Sequence, residues 1–72
     1  MEAQIRVKLR APVTQQKHLR ILFSCTPWTL QQESKYGFWF ESDDFESAFN
    51  FACSLESITN GEVFVSCQDL KR

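Results

Sequence analysis

No run of apolar residues in this chain approaches the roughly 20 that a bilayer-spanning helix needs. The longest is Tyr36-Gly37-Phe38-Trp39-Phe40, and it ends at Glu41. The opening residues, MEAQIRVKLRAPV, alternate charge with apolarity instead of building the uninterrupted centre of a secretion signal, so a soluble, unexported, cytoplasmic chain is expected. Two glycines and two prolines among 72 residues leave nothing for a glycine-rich phosphate loop, a linker or a low-complexity segment. Histidine occurs once, at His18, and the three cysteines, Cys25, Cys53 and Cys67, have no C-x-x-C spacing. Neither a tetrahedral metal site nor a disulfide framework can be assembled from that set, so no metal and no cofactor is expected. The cysteines are read as small core residues in a reducing cytosol.

Charge of one sign is not in excess either, since the formal net charge is −1. Its distribution is lopsided, however. Residues 1–20 carry Arg6, Lys8, Arg10, Lys17 and Arg20 against Glu2 alone, whereas residues 33–62 carry seven acidic groups against Lys35. With 43% apolar residues the chain has the composition of a folded globule. At this length it has material for a single core, which buries only about 60% of the unfolded surface.

Ile5, Val7 and Leu9 alternate with Arg6, Lys8 and Arg10, a period of two that predicts a half-buried strand over residues 4–10, ended by Ala11-Pro12. A polar loop follows. Leu19, Ile21, Phe23 and Cys25 alternate again and predict a second strand, ended by Thr26-Pro27. Trp28 and Leu30 are placed over the end of the core, and a third strand is expected over residues 35–41. The period then changes. Phe45, Ala48, Phe49, Ala52 and Leu55 follow helical spacing, with Ser42 or Asp43 as cap, Asp43 and Glu46 at capping-box spacing, and Asn60-Gly61 as the stop. A last strand is expected over residues 62–68.

These elements predict one α+β domain over residues 1–72, in the order β-β-β-α-β, with a mixed, mainly antiparallel four-stranded sheet and one helix on one face. The last strand runs parallel to the first and third. Ile5, Val7, Leu9, Leu19, Ile21, Phe23, Phe38, Phe40, Val63 and Val65 make the core set, meeting Phe45, Phe49, Ala52 and Leu55 of the helix. Tyr36 is assigned inward with Phe38 and Phe40.

What remains faces outward. Arg6, Lys8, Arg10, Arg20, Leu22, Trp39 and Phe64 fall on the uncovered sheet face, an apolar centre flanked by basic groups. Such a patch marks a protein interface, unless the loops over 11–18 and 26–34 fold across it. A homodimer packed sheet to sheet is one form the interface could take. The same residues admit nucleic acid, with cations for phosphates and Trp39 and Phe64 as stacking platforms, or strands entering a major groove. Asp43, Asp44 and Glu46 form a second, acidic site for a basic partner surface; helix capping accounts for the same carboxylates. No convergent nucleophile and base are present, so an enzyme is not expected. The reading is a small binding or regulatory protein acting by protein-protein interaction: an inhibitor, an adaptor, or an accessory product of a phage or other mobile element. A nucleic-acid-binding module is the alternative.

Overall fold

The computed structural model describes residues 2–70. Its elements are β1 (Ile5–Arg10), α1 (Val13–Phe23), β2 (Gln31–Gln32), β3 (Gly37–Ser42), α2 (Phe45–Ile58) and β4 (Phe64–Asp69). The strands form one sheet in the order β2-β3-β1-β4, and every neighbouring pair is antiparallel. β1 and β2 therefore run the same way with β3 between them, and β3 and β4 do so with β1 between them. The chain is thus two split β-α-β units.

The α+β class, the four-stranded sheet and the helix after the third strand agree with the sequence reading. The second expected strand does not exist. Residues 13–23 are helical, because Leu19, Leu22 and Phe23 also satisfy helical spacing when Ile21 is left out, and Ile21 is 58% exposed. With that strand gone, a two-residue β2 takes the sheet edge, β1 lies antiparallel to β3, and β4 pairs antiparallel with β1. The expected mixed sheet is therefore antiparallel throughout.

Pro12 stands at the start of α1 with an extended backbone. The Gln16 amide donates to the carbonyl oxygens of Ala11 and Lys35, at 3.2 and 2.7 Å, tying that helix start to the entry of β3. α2 is capped by Asp44, whose carboxylate accepts from the Ser47 amide at 3.1 Å and the Ser47 hydroxyl at 2.8 Å; Ser42 and Asp43, expected in that role, do not fill it. The Ser42 hydroxyl instead accepts from the Asp44 amide at 2.9 Å. The helix stops as expected, on Asn60 and Gly61, both at positive φ.

Both helices cover the same face. Ile5, Val7, Leu9, Phe38 and Phe40 of the sheet close against Leu19 and Phe23 of α1 and Ala48, Ala52 and Leu55 of α2, with Val63. Phe23, Trp28, Phe40 and Phe51 meet at ring separations of 5.1 to 6.3 Å, a cluster that joins α1, α2 and β3. Trp28 and Leu30 pack on the core, where the sequence places them. Phe45 and Phe49, expected inside, are 39% and 42% exposed; Tyr36 and all three cysteines are exposed as well. The inward arc of α2 is filled by Ala48, Ala52 and Leu55, leaving Phe45, Phe49 and Cys53 on a flank.

Candidate functional site: the open face of the sheet

The alternation of β1, β3 and β4 sends Arg6, Lys8, Arg10, Gly37, Trp39, Glu41, Phe64, Ser66 and Gln68 to the face opposite the helices. The register sets three rows across the strands. Trp39 lies beside Lys8, which lies beside Ser66; Glu41 lies beside Arg6 and then Gln68; Gly37 lies beside Arg10 and then Phe64. Gln31 of β2 extends the Trp39 row.

Neither long loop crosses this face. Residues 13–18 belong to α1, and the 26–34 segment sends Trp28 and Leu30 to the helix side before β2 joins the sheet edge. Among the described segments, the β2-β3 turn is the one that touches it. A Cβ at Gly37 would stand 2.7 Å from the Ser34 hydroxyl, so that hydroxyl occupies the space beside the glycine.

Arg6 is fixed in place. Its guanidinium donates to Glu41 at 2.8 Å through Nε, with Nη2 at 2.6 Å from the same carboxylate oxygen, and it lies 5.1 Å from the centre of the Trp39 ring. A half-exposed ion pair of this kind adds little stability, but it orients the cation over the indole and leaves Trp39 half-buried. Phe64 is 69% exposed at the end of β4. Lys8, Arg10, Gly37, Phe64 and Ser66, with Glu33 and Ser34 of the turn, line a groove of about 320 Å³.

Trp39, Phe64, Arg6, Lys8 and Arg10 are thus brought together as the sequence places them. Arg20 and Leu22 are not. Both lie on α1: Leu22 packs on the core, and Arg20 donates to the Gln32 side chain at 3.2 Å with its guanidinium 5.7 Å from the buried Phe38 ring. Ser66 and Gln68 join the face by the same alternation as Phe64, and Gln31 joins it from β2, outside every expected strand.

The acidic residues meet at the other end of the molecule, where Asp43, Asp44 and Glu46 line an open hollow of about 770 Å³ with Gln4, Phe45 and Asp69. Asp44 is committed to its cap. The hydrogen bond from the Ser47 amide, then that from the Ser47 hydroxyl, hold its carboxyl below the ordinary value. No group of three or more His, Cys, Asp or Glu among the described residues is arranged to hold a metal ion. His18 is exposed on α1, its Nδ1 3.4 Å from the Gln15 side-chain oxygen. No described helix is long and apolar enough to cross a membrane.

No family model, no curated protein and no solved structure matches the chain.

Proposed function

We propose that this chain is a non-enzymatic binding domain that docks another protein on the open face of its sheet. The observation that carries the reading is that face itself: the largely exposed Phe64 lines a groove with Lys8 and Arg10, Trp39 stands beside Lys8 on the same face, and both helices cover the opposite side. Exposed aromatic side chains on a rigid backbone give much contact area for little lost entropy, and arginine and lysine at the rim select the charge of the partner. The matching surface is apolar with carboxylates around it.

A regulatory role as inhibitor or adaptor, an origin in a phage or other mobile element, and a cytoplasmic setting belong to the same proposal. Three exposed free cysteines favour a reducing compartment. The test is affinity capture from the native cell with the natural chain and with Trp39→Ala, whose fold is checked by circular dichroism. We expect one partner to be lost with the folded variant. Equal capture by both chains overturns the reading.

A second reading is favoured by one specific observation. Single-stranded RNA is bound on four-stranded sheets that present aromatic side chains from central strands, and here Trp39 of β3 stands beside the basic face of β1. Two features weigh against it. Arg6 is neutralised by Glu41, and Glu33 stands at the groove that Lys8 and Arg10 line. Titration with mixed-sequence single-stranded RNA and DNA separates the readings, because phosphate contacts lose affinity steeply between roughly 50 and 200 mM salt.

A further inference from the structure

The two edges of the sheet are unlike each other. β2 is two residues long, which is one way a sheet blunts its edge, whereas β4 runs for six residues with neither proline nor lysine in FVSCQD. β4 pairs with β1 on one side and ends the sheet order on the other. The Leu70 amide donates to the Gln4 carbonyl at 2.9 Å, which fixes the phase of that ladder: residues 64, 66 and 68 direct their backbone groups to β1, and Val65 and Cys67 direct theirs outward.

Beside this edge lies an apolar shelf. Phe45 and Phe49, one turn apart on α2, stack at 6.0 Å and remain 39% and 42% exposed. They lie on the flank of α2 turned toward β4. Phe45 lines the same hollow as Asp69, and α2 packs on β4. The opposite flank sends Phe51 into the aromatic cluster.

We propose that the chain forms a twofold dimer by antiparallel pairing of β4 with β4 of a second copy, centred on Cys67. The sheet then continues through eight strands. This register sets Cys67 opposite its own copy, Ser66 opposite Gln68 and Val65 opposite Asp69, so no like charges face one another. Spacing supports it independently. α2 packs over both β1 and β4, so its axis lies about half a strand spacing inside the edge. Across the dyad the two α2 axes fall about 10 Å apart, from a strand spacing of about 4.8 Å, and that is the distance at which helices pack. The Phe45-Phe49 shelves then cover each other. This dimer goes beyond the open-face partner and does not depend on it, since pairing at the β4 edge leaves Trp39, two strands away on β3, uncovered.

Light scattering on the full chain over a wide concentration range tests it. We expect the mass to rise to twice that of the chain, with Cys67→Lys and Phe49→Lys each raising the dissociation constant at least tenfold. Paired Cys67 Cα atoms stand about 5.5 Å apart, within disulfide range. A Cys25→Ser/Cys53→Ser chain treated with diamide, which takes up the two electrons and two protons released by two thiols, is therefore expected to give a covalent dimer. If Cys67→Lys does not fold, Phe49→Lys and the crosslink decide. A chain monomeric at all concentrations, or a dimer unaltered by the folded variants and not crosslinked, overturns the proposal. So does a dimer lost in Trp39→Ala alone, which would place the interface on the open face.

Discussion

Trp39 and Phe64 share a face, but only one of them is held. The Arg6 guanidinium lies over the indole and is itself tied to Glu41, whereas Phe64 meets no such clamp and is the most exposed large apolar side chain of the described residues. In the proposed docking, Trp39 would therefore meet a partner in a set orientation, whereas Phe64 would be ordered by the contact itself. The helix reading of residues 13–23 makes its own prediction at this scale. Ile21→Glu, at an exposed position, should change stability by no more than about 0.5 kcal/mol, whereas Leu19→Ala, fully buried on the same helix, should cost about 2–5 kcal/mol in urea unfolding. Asp44 gives a pH prediction. Its carboxyl is held below the ordinary value by the Ser47 hydrogen bonds, so its stabilisation is complete above roughly pH 4 and is lost as pH falls through the lowered value. The melting temperature of the natural chain should exceed that of Asp44→Ala at neutral pH, and the gap should close on acidification.

At the scale of elements, the aromatic cluster of Phe23, Trp28, Phe40 and Phe51 ties α1 and the 26–34 segment to the sheet. Phe40 is fully buried at its centre, and Phe40→Ala is expected to cost about 3–5 kcal/mol, much of the stability a domain of this size has, as a denaturant titration will show. Which elements were legible in the sequence follows from how unambiguous each period is. IRVKLR has only one reading, because every second residue is charged, and the α2 segment is bounded by a cap and by Asn60-Gly61. HLRILFSC has two readings, since three adjacent apolar residues satisfy both a period of two and helical spacing; only packing decides, by burying Leu19 and Phe23 and exposing Ile21. The same ambiguity placed Arg20 and Leu22 on the open face. Phe45 and Phe49 misled for another reason: hydrophobicity suggested burial, but small alanines at 48 and 52 are what allow α2 to approach the sheet closely. The cysteines were misplaced with them. The centre of the candidate site was legible because Lys8, Arg10, Trp39 and Phe64 follow from strand alternation alone; Ser66 and Gln68 follow from the same alternation as Phe64, while Gln31 lies on β2, which no alternation announced.

For the whole molecule, the sheet separates two surfaces of different character. One face carries the core and both helices. The other carries an aromatic and basic groove, with the acidic α2 start set apart from it at a different end. Extension of the sheet at β4 would place two such grooves on one continuous surface, so that a partner with two matching segments would bind with higher avidity than either groove alone provides. The proposed docking of a partner on the open face is open to direct measurement. Its most direct test is a nitrogen-proton correlation spectrum of the labelled chain with the captured partner added. Shifts are expected at Lys8, Arg10, Phe64 and Ser66, and at the Trp39 indole N–H, with the Asp43-to-Glu46 turn and the exposed side of α1 unchanged. Shifts confined to that acidic turn or to α1, with the Trp39 indole unmoved, would contradict it.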